Sequence, residues 1–81
     1  MSDHALINPD SPKLVYLQVA DIITGRIESG ELAPDAKLPS ERDMAAQFGV
    51  AYDTVRRATK VLRNRGLIVT VVGRGTYVAK H

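Results

Sequence analysis

Apolar residues recur along this chain at two different periods, and the change from one to the other divides it. Tyr16, Val19, Ala20, Ile23 and Ile27 follow one another at three- and four-residue steps, the spacing that lines side chains along one face of an α-helix. Asp21, Arg26 and Glu28 fall off that stripe. Ser11-Pro12 is a start signal, because a hydroxyl can cap free backbone donors and proline lacks the N–H that a first turn leaves unused. A first helix is therefore predicted from this pair to a stop at Gly30. Before it, Met1 to Asp10 has no periodic pattern and contains the turn-favouring pair Asn8-Pro9, so residues 1–11 are expected to form a flexible N-terminal arm. Glu31 to Pro39 reads as a loop held down by Leu32 and Leu38.

A second helix is predicted from Pro39-Ser40. Ser40 suits the N-cap, and Glu41 and Asp43 place negative charge at the positive end of the helix dipole. Met44, Ala45 and Phe48 face inward, and Gly49 ends the helix after about two turns, too few for it to stand without a neighbour. That neighbour is residues 51–65, reached across Gly49-Val50, and the two together form a helix-turn-helix. At about 100° per residue, Ala51, Val55, Ala58, Thr59 and Leu62 gather on one side, with Tyr52, Asp53, Arg56, Arg57, Lys60 and Arg63 roughly opposite. After Gly66 the period drops to that of extended chain. Leu67 to Val72 is rich in β-branched residues, Gly73-Arg74-Gly75 forms a turn, and Thr76-Tyr77-Val78 returns. Residues 67–78 are thus a two-stranded hairpin with Arg74 at its tip. Three helices closed by such a hairpin give a mainly α fold of the winged helix-turn-helix kind, spanning residues 12–79.

Composition narrows what this fold can do. At 81 residues the chain supports a single modest core. It has no cysteine, so neither a disulfide framework nor a thiolate metal site holds it together. No apolar run approaches the ~20 residues that span a bilayer, and the first ten residues lack the basic start and apolar core of a secretory signal; a cytoplasmic location, without membrane association, is expected. The net charge of +2 hides a gradient. Two cations against six anions leave residues 1–36 at −4, whereas nine against three leave residues 37–81 at +6. The second half is the part suited to an anionic partner. A basic helical face taken alone is more often only solvated. Here it follows a tight helical turn and carries four cations against one anion, as a helix that reads a duplex requires.

The residues also carry a resemblance. Leu38-Pro39-Ser40-Glu41-Arg42, then Ala45-Ala46 with Phe48-Gly49-Val50, then Thr54-Val55-Arg56-Arg57-Ala58, Leu62 to Ile68, and Gly73-Arg74-Gly75-Thr76-Tyr77-Val78 are five ordered blocks with matched spacing. The chain resembles the N-terminal DNA-binding domain of GntR-type bacterial regulators over residues 12–79. The resemblance implies a transcription regulator, read as a repressor, that binds double-stranded DNA as a homodimer on a two-fold symmetric operator. The recognition helix, residues 51–65, would enter the major groove, and the wing, residues 67–78, would meet flanking backbone or minor groove. The residues assigned to DNA are Ser40, Arg42, Tyr52, Asp53, Thr54, Arg56, Arg57, Lys60, Gly73, Arg74 and Gly75. Arg42 would approach the backbone, Thr54 and Arg56 would serve the recognition helix, and Gly73 with Arg74 would form the wing tip. The chain departs from the family pattern twice. Ala51-Tyr52 stands where a small hydroxyl residue and a basic one are usual, and Val71-Val72 replaces residues that are often basic or polar. Family members usually continue into a C-terminal effector-binding or aminotransferase-like domain, which would follow residues 80–81; a small-molecule effector is implied only if the full-length protein has one.

Two rival classes fare less well. His4 and His81 sit at the termini, where nothing fixes their geometry, and no group of acidic or hydroxyl residues has a spacing that demands shared catalysis. No cluster has metal-ligand spacing, and no cofactor is expected: Gly73-x-Gly75 lacks the following helix that a dinucleotide site needs. A winged helix that binds protein would expose apolar residues on its third helix. This one exposes Arg56, Arg57 and Lys60.

Overall fold

The computed structural model describes residues 6–80; His4 and His81 and the first five residues of the expected arm lie outside them. Three helices, α1 (Val15–Glu28), α2 (Glu41–Phe48) and α3 (Tyr52–Asn64), precede an antiparallel pair of strands, β1 (Ile68–Val71) and β2 (Gly75–Val78). The fold is the mainly α winged helix-turn-helix that the pattern predicts. No helix among the described residues is long and apolar enough to cross a membrane.

The amphipathic stripes meet where their spacing requires. Val19, Ala20 and Ile23 from α1, Met44 and Phe48 from α2, and Val55, Ala58 and Leu62 from α3 close on Leu38, Ile68 and Val78 in a single cluster. Each such side chain taken fully from water contributes about 1.5–3 kcal/mol before entropy is counted, so this cluster is what lets an 8-residue α2 persist. At the start of α2 the Ser40 hydroxyl accepts from Asp43 N at 3.0 Å, and at its end Gly49 N–H donates to Ala45 O.

The structure differs from the sequence reading at several points. Helix α1 starts at Val15, not at Ser11-Pro12, and its N-cap residue Leu14 offers no side-chain cap. Ser11 spends its hydroxyl on Lys13 N (3.1 Å), and the Lys13 carbonyl is taken by Gln18 Nε2 at 2.8 Å. Leu14 O is the first carbonyl that the helix itself uses. Within the stretch expected to be a flexible arm, Ile7 and Asn8 contact the domain. Gln18 clamps both backbone groups of Asn8 at 2.8 Å, and Ile7 packs on the core. Ala51, placed on the inner side of the third helix, is exposed because it is the extended N-cap residue that precedes the first turn. Strand β1 is shorter than predicted and β2 starts one residue earlier, at Gly75, and the loop between α1 and α2 joins β2. Asp35 N donates to Val78 O (3.0 Å), Val78 N to Ala36 O (2.8 Å) and Leu38 N to Thr76 O (2.8 Å), with Lys37 bridged to Tyr77.

Candidate nucleic-acid interface

Residues 52–63 present one charged face because burying Val55, Ala58, Thr59 and Leu62 turns the opposite side of α3 away from the core. Arg56, Arg57, Lys60 and Arg63 line a cleft between this face and the hairpin, whose Thr70 and Thr76 form the far wall. The acidic residues in the cleft are already engaged. Asp53 holds Arg57 at 3.2 Å and Arg56 at 3.9 Å. Glu41 accepts the hydroxyl of buried Thr59 at 2.6 Å, which ties the start of α2 to the middle of α3. Exposed ion pairs of the Asp53 kind are worth only about 0–1 kcal/mol. They order the two guanidinium groups without preventing them from turning to a stronger anion.

At the entrance of α3 the Tyr52 ring, 41% exposed, has the Arg42 guanidinium 4.9 Å from its centroid and that of Arg56 at 6.0 Å. This cluster joins the first turn of α2 to the first turn of α3. Ser40 stands beside it as the α2 cap. The hairpin is attached to the same face, since Arg63 donates to Thr70 Oγ1 at 3.0 Å and Thr70 meets Thr76 across the strands at 3.1 Å. Its turn runs from Val71 to Arg74, closed by Arg74 N to Val71 O at 3.0 Å. Gly73 and Gly75 have φ of +79° and +131°, which side chains resist. Arg74 is exposed next to Val72, whose exposure of 96% makes it the most open apolar side chain of the domain among the described residues.

The structure therefore brings Arg42, Tyr52, Asp53, Arg56, Arg57 and Lys60 onto one continuous surface, with Arg74, Gly75 and Ser40 along a neighbouring cleft between the wing and α2. Thr54 is half-buried and lines an apolar hollow with Ile7, Pro9 and Val50. Two contributors were not singled out by sequence reasoning. Glu41 reads as a helix-dipole residue, and only the burial of Thr59 shows it as a link. Arg63 falls on the charged face by periodicity, yet its hold on Thr70 depends on a hairpin register that the sequence does not supply.

A model of the family described as bacterial regulatory proteins, gntR family, matches residues 15–78. Among curated proteins, the HTH-type transcriptional repressor NagR of Bacillus subtilis (strain 168) is 47% identical over 74 residues, which cover 91% of this chain and 30% of NagR. The chain thus spans under a third of that relative's length. Among solved structures, YtrA from Sulfolobus acidocaldarius, a GntR-family transcription factor, superposes with a TM-score of 0.86 at 40% identity, over 93% of this chain and 79% of YtrA. The DNA-binding domain of AraR in complex with operator ORE1 gives a TM-score of 0.75 at 42% identity, over 79% of this chain and 78% of that one.

Proposed function

The chain belongs to the gntR family of bacterial regulatory proteins, and from that premise we propose that residues 12–79 are the unit by which a transcriptional repressor reads double-stranded DNA. Helix α3 lies in the major groove with its first turns toward base edges, and the wing rests on the flanking backbone or minor groove. Arg56 and Tyr52 face bases. Arg42, Arg57, Lys60 and Arg74 face phosphates, which fix register and orientation but carry no sequence information directly. The reading is supported above all by the α3 surface, where four cations outnumber acidic groups that are already bonded within the domain. The AraR domain seen with its operator and the repressor name of NagR support it from outside.

Two chains bind one operator with two-fold symmetry, each reading a half-site. In the absence of DNA the chain is monomeric at micromolar concentration, because the apolar stripes of all three helices are used in one core and little is left for a partner. The regulator works in the cytoplasm, and it answers to a small molecule only through a further domain. Selection of bound sequences from random duplexes, read by gel shift, tests the whole proposal. It should return an inverted repeat; a failure to enrich any sequence would reduce the domain to a nonspecific cation.

A further inference from the structure

The hairpin has two faces with different chemistry. Ile68 and Val78 pair across the strands and are buried, and in the next pair on that side, Thr70 and Thr76, Thr70 accepts from Arg63 of α3. Alternation along a strand turns Val69, Val71, Gly75 and Tyr77 to the opposite, outer face. None of those four carries a charge. Lys37 supplies one from outside the hairpin. It is bridged to Tyr77 along the free edge of β2, and its side chain runs over Gly75, where a Cβ would lie 2.7 Å from Lys37 Cε and 3.5 Å from Nζ. The missing side chain at Gly75 thus gives the lysine stem a path toward the wing turn. Lys37 is exposed and in no ion pair among the described residues. With Arg74 it lines the cleft beside the wing, whose α2 side carries Ser40, Asp43 and Glu41, the last already bonded to Thr59.

The geometry points to Lys37 as a phosphate-binding residue of the wing, carried there by the loop before α2. The inference rests on the duplex reading proposed above. A hairpin seated at a groove stands between two phosphate ribbons, since the minor groove is only about 6 Å wide. The ribbon on the α3 side meets Arg57, Lys60 and Arg63. The ribbon on the outer side faces Val69, Val71 and Tyr77, which offer a phosphate no cation, so Lys37 gives that side its charge. An ammonium on a flexible four-carbon stem can supply this charge, since lysine binds phosphate as a mobile point charge without a fixed geometry.

The test uses Lys37→Met, which keeps an unbranched apolar stem over Gly75 and removes the charge, beside Lys37→Arg, which keeps the charge. Affinity is measured on the selected duplex and on a scrambled one across a salt series, with Arg74→Ala in parallel. Lys37→Met should weaken both duplexes by the same factor and make the slope of log affinity against log salt shallower by about 0.9, the value of one phosphate contact. Lys37→Arg should retain affinity and slope, and the thermal midpoint of all three variants should match the parent. Unchanged affinity and slope in Lys37→Met would overturn the inference, and if Arg74→Ala still weakened binding the duplex reading would stand without it. A loss confined to the selected duplex would overturn it too, by making Lys37 a reader of bases. No binding of either duplex by the parent chain would sink the duplex reading itself.

Discussion

Tyr52 occupies a position where the family pattern usually sets a basic residue, and its ring gathers two cations instead. Arg42 and Arg56 stand 4.9 Å and 6.0 Å from its centroid, contacts worth about 0.5–1 kcal/mol each at an exposed site. That is enough to bias the two guanidinium groups toward one arrangement. Tyr52 is thus a positioning residue for Arg56, and the two make a linked prediction. Arg56→Ala should cost about 1–3 kcal/mol on the selected duplex and much less on a scrambled one, the mark of a base contact. Tyr52→Ala should lose part of the same discrimination, and Tyr52→Phe, which keeps the ring, should restore it. Competition titrations on both duplexes read this directly, and equal losses on the two would move Arg56 to the phosphates. At this scale the charged residues of α3 were legible because a buried stripe of Val55, Ala58, Thr59 and Leu62 forces its opposite face outward. The hollow that Thr54 shares with Ile7 and Pro9 was not legible, because those neighbours come from a segment with no periodic pattern. Lys37 was invisible as a wing residue, since a cation in a loop with two prolines carries no sign of the strand it will join.

The helices differ in how their ends are secured, and the difference can be tested. Ser40 caps α2, whereas Ala51 at the same place on α3 makes no side-chain cap. Ala51→Ser should therefore stabilise the fold by about 0.5–2 kcal/mol, the usual worth of a hydroxyl N-cap, as measured by denaturant midpoint; no gain would mean that the extended backbone at Ala51 does not aim a side chain at the free amides. The middle of α1 is joined to the C-terminal end of α3 through Asp21 and the C-cap residue Arg65. The Lys13 ammonium bonded to Asp21 holds its carboxyl below the usual value of 3.8, helped by Arg65 and opposed by partial burial, with Arg65 reaching Asp21 at 3.2 Å and Thr24 at 3.1 Å. A carboxylate whose pKa is lower in the folded chain contributes stability that is present above its unfolded value and is lost as pH falls through the folded one. Thermal midpoints of the parent should thus fall more steeply below pH 3.8 than those of Asp21→Asn. Parallel curves would show that the bond does not survive in solution. The start of α2 was legible from Ser40, Glu41 and Asp43. The start of α1 was not, because Ser11-Pro12 has the chemistry of a cap but the carbonyl of Lys13 is diverted to Gln18, a contact between side chain and backbone that periodicity does not report.

Across the whole molecule, the charge gradient of the sequence becomes a spatial one. The acidic first half supplies α1 with Asp21 and Glu28, while the basic second half supplies α3 and the wing. The fold joins them through one core and leaves the cationic face of α3, the Arg42–Tyr52 cluster and the wing cleft on contiguous surface. That order of elements was legible because each helix stops at or just before a glycine: Gly30, Gly49 and Gly66. The third partner of the hairpin was not, because residues 35–38 join β2 by backbone bonds without a strand-like alternation of their own. The central claim is that this contiguous face, and no other, meets a duplex. Titration of the isotope-labelled chain with its selected duplex, followed by amide chemical shifts, tests it in one measurement. Shifts are expected at Lys37, from Ser40 to Asp43, from Ala51 to Lys60 and from Val71 to Gly75, with the amides of Asp21 and Glu28 on α1 unmoved. Shifts centred on α1, with α3 and the wing unmoved, would contradict it.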